Sequence, residues 1–170
     1  MSRRPFGPAL VKAMNRTTAC ARCTPRDFIK QIIRMSAPED AVLWGRVLKM
    51  CRRYTTIDVE RANQLRLEFP IFAQNCFDNC QGAAVRYKDL TYVEGYAASI
   101  VPVADAPPVY HAWLIDKQGA VVDPPWPIPS KEYFGVPIHW REILRAWDRG
   151  EAGDELLASV LTNRHGRPRG

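Results

Sequence analysis

Apolar spacing divides the chain into two halves of different texture. Phe28, Ile32 and Met35 recur at near-helical intervals, and Thr24-Pro25-Arg26-Asp27 ahead of them supplies a cap, a first-turn proline and a first-turn acid. This spacing predicts a helix over 25–34. Ser36 and Glu39 stand at capping-box spacing before a second helix over 38–53, with Leu43, Val47 and Met50 on one side. A third helical stretch covers 58–69 and stops before Pro70.

Beyond Pro70 the pattern changes. Asn75-Cys76-Phe77-Asp78-Asn79-Cys80 leads into Ala83, Ala84 and Tyr87, a short helix with one apolar side. Thr91-Tyr92-Val93-Glu94-Gly95-Tyr96-Ala97 then alternates and is rich in strand formers, as is Val109-Tyr110-His111-Ala112-Trp113-Leu114-Ile115. Ala120-Val121-Val122-Asp123 is a third strand, and Gln118-Gly119 before it reads as a hairpin turn. A proline-rich loop covers 124–129, and 139–149 and 154–162 are helical in pattern. Helices first and an antiparallel sheet later make the class α+β: N-terminal helices, then a helix on a small antiparallel sheet, then C-terminal helices.

At 170 residues and 46% hydrophobic, the chain suits one ordinary domain, read here as 24–163 between a basic arm over 1–23 and a tail over 164–170. No run approaches the roughly 20 apolar residues of a membrane span, so no membrane partner is expected. No apolar leader follows Met1, and the expected compartment is the cytoplasm. The net charge is +6, yet residues 1–36 hold eight Lys or Arg against one acid, Asp27, and so account for +7. Such a section can engage nucleic acid or an acidic protein, or simply serve as a solvated face.

Five cysteines without a leader argue against a disulfide framework, leaving thiols that are buried, metal-binding or catalytic. Cys76 opens a helix, where the dipole and the first-turn amides favour a thiolate and can hold an oxyanion. His111 sits in a strand, and Asp123 lies on that strand's hairpin partner. A three-residue turn over 117–119 sets Asp116 opposite Ala120 and Trp113 opposite Asp123. His111, on the face of Trp113, is then diagonal to Asp123, at about 7–8 Å between Cα atoms. A two-residue turn would instead put Asp123 opposite Leu114.

Cys76, then His111-Ala112-Trp113, then Asp123-Pro124-x-Trp126 resembles the Cys, His-Ala-Trp and Asp-Pro-Thr-Trp series of the transglutaminase-like, papain-like cysteine superfamily. With Thr91-Tyr92-Val93-Glu94-Gly95-Tyr96 and Tyr133-Phe134-Gly135-Val136-Pro137, the series also resembles small uncharacterised phage and bacterial proteins. The likeness covers roughly 74–138, under half of the chain. It implies a Cys-His-Asp triad with Cys76 as nucleophile, His111 as base and Asp123 as orienting acid. Host cytoplasm is implied if the protein is phage-encoded. One departure is Pro125 where the pattern has Thr, which removes a hydrogen-bonding group beside the acid.

Competing assignments are weaker. Cys80 shares the helix face of Cys76 but lies one turn from the amide-rich end. Asp116 abuts the turn. Asn79, Glu94 and Trp113 are candidate substrate contacts, with a helix-surface role as the alternative for Asn79 and a solvent-facing one for Glu94, and Gln74 is a weak oxyanion donor. Cys20 and Cys23 form a lone Cys-x-x-Cys, read first as two ordinary reduced thiols; a structural zinc site needs four ligands, which Cys51, or Cys76 with Cys80, would have to complete, and a redox motif lacks its thioredoxin-like setting. No metal or other cofactor is expected.

Two functions follow from these residues. One is cysteine-dependent acyl transfer on a peptide or other amide- or ester-bearing substrate. The other is a non-catalytic binding protein that engages nucleic acid or an acidic partner through residues 1–36. On the binding reading, complexes with nucleic acid weaken steeply with salt, and deleting residues 1–23 flattens that dependence. A gel-shift assay without a complex even at low salt removes this reading.

Overall fold

The computed structural model describes residues 23–71, 75–100, 106–151 and 153–163. Most of the expected N-terminal arm, the C-terminal tail and Gln74 lie outside them.

Helix α1 (Pro25–Met35) begins as its sequence dictates: Thr24 Oγ1 accepts from the Asp27 amide at 3.2 Å, and Pro25 occupies the first turn. Its buried face carries Phe28, Ile29 and Ile32. Helix α2 (Pro38–Met50) follows, but the Ser36–Glu39 capping box does not form. Ala37 is the N-cap, and Ser36 Oγ turns back to donate to the Ile32 carbonyl at 2.7 Å, serving the end of α1 instead. The second helix also stops earlier than its pattern suggests, because Arg52–Tyr54 leaves it as strand β1. Helix α3 (Val59–Glu68) is capped by Asp58, which accepts from the Arg61 amide at 2.8 Å.

Helix α4 (Cys76–Arg86) comes next, then strands β2 (Thr91–Ala97), β3 (Val109–Ile115), β4 (Val121–Val122) and β5 (Tyr133–Ile138). The chain closes with helix α5 (Trp140–Trp147), a 3-10 turn over Gly153–Glu155 and helix α6 (Leu156–Asn163). The five strands form one antiparallel sheet in the order β1-β5-β2-β3-β4. The protein is therefore α+β, with helices before and after the sheet. Among the described residues no helix is long and apolar enough to cross a membrane.

Strands β1 and β5 hide from a pattern reading for clear reasons. β1 is three residues long and two of them are exposed arginines. β5 contains Gly135 and Pro137, which read as breakers. It survives because β1 reaches only from Tyr133 to Gly135, so at Pro137 the strand is an edge and needs no second N–H partner.

The two faces of the sheet carry separate cores. Tyr92, Tyr96, Ala112, Leu114 and Val136 pack against α1, α2, α4 and the C-terminal helices. On the other face, Trp113 gathers Tyr54, Val93, Val121 and Tyr133. Trp113 lies across β2 towards Gly135: a Cβ there would stand 2.6 Å from the indole and 2.6 Å from the Glu94 carbonyl oxygen. Two glycines, Gly95 and Gly135, face each other across β2 and β5 and leave the indole its room. Gly135→Ala must displace either a backbone or a buried tryptophan, and is expected to cost about 1–3 kcal/mol or more. Urea unfolding measures this; a midpoint equal to that of the unmodified protein contradicts the close packing.

Candidate active site

The hairpin between β3 and β4 sets the site. Leu114 opposes Val122 and Ile115 opposes Val121, a register that continues to Trp113 opposite Asp123. The turn is the three-residue one: the Asp116 amide donates to the Ala120 carbonyl at 3.0 Å, and Gly119 adopts φ +83°. Asp116 is a turn residue, its carboxylate accepting from the Gln118 and Ala120 amides. On its outer side β4 is steadied by residues 56–58, through Val121 N–H to the Thr56 carbonyl and Asp58 N–H to the Val121 carbonyl, both at 2.8 Å.

Asp123 emerges from the end of β4 directly onto His111. His111 Nε2 lies 3.1 and 3.0 Å from the two carboxylate oxygens of Asp123. The Tyr133 hydroxyl donates to Asp123 Oδ2 at 2.8 Å and itself accepts from the Ser130 amide at 2.8 Å. Tyr133 thus supplies the acid with a hydrogen bond although Pro125 cannot. The Trp126 indole stacks on the imidazole, centroids 3.9 Å apart and planes 13° apart. The Cys76 thiol, on the first residue of α4, also hydrogen-bonds the imidazole.

Helix α4 reaches His111 because it lies along β3, where the Cys80 Sγ donates to the Ala112 carbonyl at 3.4 Å. Two cysteines one turn apart therefore have different surroundings. Cys80 is fully buried, and burial first, then the charges of Asp123 and Cys76, push its thiol well above the ordinary range. Cys76 is half-buried and adjoins the imidazole. Asn75 occupies the N-cap position without a side-chain capping bond.

Burial works to lower the His111 pKa, but the hydrogen bonds and charges of Asp123 and Cys76 outweigh it and push the imidazole up to about 9. The shift favours the protonated ring over the neutral one.

The remaining sequence candidates are inside the protein. Asn79 is 2% exposed, and Glu94 and Trp113 are 0% exposed, so all three side chains lie in the interior. Trp113 fills the second core. Glu94 lies under the C-terminal helices, with its carboxylate accepting from the Tyr92 hydroxyl at 2.9 Å, from the Tyr110 hydroxyl and from the Leu157 amide. Gln81 extends this network, accepting from Trp147 Nε1 at 3.1 Å and donating to the Gly153 carbonyl at 2.7 Å. Desolvation dominates at Glu94 and raises its pKa to about 8 against those hydrogen bonds. Cys23 is disulfide-bonded, which corrects its reading as a reduced thiol; a bonded sulfur has no thiolate to offer a metal.

Beside the site, a groove of about 560 Å³ is bounded by Phe69, Pro70 and Ile71 on one side and Pro124 and Pro125 on the other. The groove had no signal in the sequence, whereas Trp126 stood in the Asp-Pro-x-Trp series and Tyr133 in the Tyr133-Phe134-Gly135-Val136-Pro137 stretch, where neither was given a role. No family model matches the chain, and no curated protein or solved structure matches it either.

Two raised pKa values give the stability a pH signature. A group whose folded pKa exceeds its unfolded value stabilises fully below the unfolded value and loses that contribution as pH rises through the folded one. Glu94 acts over the window from its ordinary 4.5 to about 8, and His111 from 6.5 to about 9. Stability by urea unfolding should fall as pH rises from 5 to 9, and Glu94→Gln should remove the fall below pH 6.5 while keeping the later one. An identical pH profile in the variant would contradict the buried carboxyl.

Proposed function

We propose that the protein is a cysteine-dependent acyl-transfer enzyme of papain-like or transglutaminase-like chemistry, acting on an amide- or ester-bearing substrate such as a peptide. The observation that carries this reading is the His111 imidazole held between the Asp123 carboxylate and the Cys76 thiol. An imidazolium donating to sulfur has its best partner in a thiolate, the form in which cysteine attacks.

The steps balance with these groups alone. The Cys76 sulfur forms a bond to the substrate carbonyl carbon, and the carbonyl electron pair moves to oxygen. First-turn amides of α4 are preorganised donors for that oxyanion. Collapse breaks the bond to the leaving amine or alcohol, which takes the proton from the His111 nitrogen facing the sulfur. The neutral imidazole then accepts a proton from water or from an acceptor amine as it attacks the thioester. Acid or amide leaves, and the sulfur returns to thiolate. Asp123 keeps the far ring nitrogen protonated throughout and steadies the imidazolium, while Trp126 covers the ring and excludes water.

The groove at Pro124 and Pro125 supports the same reading, since it gives an extended substrate a place beside the loop that carries the acid.

Selective alkylation tests the proposal. With iodoacetamide at pH 7, Cys76 should label roughly tenfold or more faster than Cys51, whose thiol burial pushes up to about 12. His111→Ala should bring Cys76 down to an ordinary rate. Equal labelling of Cys76 and Cys51, indifferent to His111→Ala, contradicts an activated thiol.

A further inference from the structure

Both groups that grip His111 come from one short loop, and that loop has little structure of its own. Asp123 meets the edge of the imidazole and Trp126 its face, while Pro124 and Pro125 between them have no N–H to donate. One side chain from α3 gathers the loop. Arg66 Nε donates to the Pro124 carbonyl at 2.9 Å, and Nη2 donates to the Asp123 carbonyl at 3.1 Å and to the Trp126 carbonyl. Nη1 donates to Asn63 Oδ1, one turn back on the same helix, which fixes the plane of the guanidinium.

We infer that Arg66 is the positioning residue of the site, holding Asp123 and Trp126 on the imidazole by gathering the three carbonyls of their loop. The chemistry requires a guanidinium. Three carbonyl oxygens converging on one point repel each other unless a cation with several divergent N–H groups fills that point. A lysine is a compact charge that reaches one or two of them. With four of its donor directions spent inside the protein, Arg66 is not a free anion site, although it borders the groove. Without it the carbonyls separate, Asp123 moves off Nε2, and the indole lifts from the ring.

The inference concerns the site of the acyl-transfer reading and rests on it for its catalytic meaning, but its test reads protonation rather than activity. The full chain contains three histidines, so 15N-histidine labelling gives a simple spectrum in which His111 is titrated directly. Arg66→Ala should lower the His111 midpoint by about one pH unit or more, a tenfold loss of proton affinity. Arg66→Lys, which keeps charge and bulk, should fall between, and it serves if the alanine variant does not fold. Arg61→Ala, on the same helix but paired with Glu68 and Asp89, should leave the midpoint unmoved. An unchanged His111 midpoint in both Arg66 variants, or an equal shift in Arg61→Ala, overturns the inference. The two readings fail separately: a shifted midpoint with an inert Cys76 refutes acyl transfer and keeps the clamp, and a reactive Cys76 with an unshifted midpoint does the reverse.

Discussion

An imidazole removed from water must find a partner for each ring nitrogen, and the rest of the site answers that constraint at His111. The ring is 1% exposed, so neither nitrogen has solvent to fall back on. One partner arrives through the sheet: the three-residue turn sets the register that delivers Asp123. The other arrives through a helix: α4 lies along β3 and ends its N-terminal turn at the ring. Tyr133 and Arg66 act one step back, the first on the carboxylate and the second on the loop behind it. Removing either partner leaves a buried polar group unpaired, which costs more than the hydrogen bond itself contributes.

The same sheet hides a second ionisable group with the opposite chemistry. Glu94 lies desolvated on the helix-covered face, among tyrosine hydroxyls, so its carboxyl is favoured in the neutral form. His111 points to the other face and meets a carboxylate, so it is favoured in the charged form. Strand alternation alone separates them: Glu94 and Ala112 are register partners, and His111 is one residue from Ala112. Glu94 joins the sheet to the C-terminal helices, whereas His111 joins it to Cys76.

Much of this was readable from the letters, for identifiable reasons. Pro25 and Thr24 start α1 by local chemistry that needs no tertiary help. The β3–β4 hairpin followed from parity and one glycine, and with it the diagonal between His111 and Asp123. Long-range docking was not readable. Tyr92-Glu94-Tyr96 looks like a polar-lined strand face until α6 covers it, and nothing near Glu94 in sequence announces Leu157. Arg66 reaches a loop almost sixty residues away, and no local spacing encodes that reach. Ser36 was open to two uses, capping α2 or closing α1, and the second won because the Ile32 carbonyl lay within reach.

The central claim is that sulfur, imidazole and carboxylate act as one chemical unit. The most direct measurement is intact mass after brief exposure to an activated ester, with acid quenching to preserve any thioester. The account predicts one acyl group, mapped to Cys76, in the unmodified protein and its loss in His111→Ala and Cys76→Ala. An unacylated chain, or an acyl group on another residue that survives both substitutions, would contradict it.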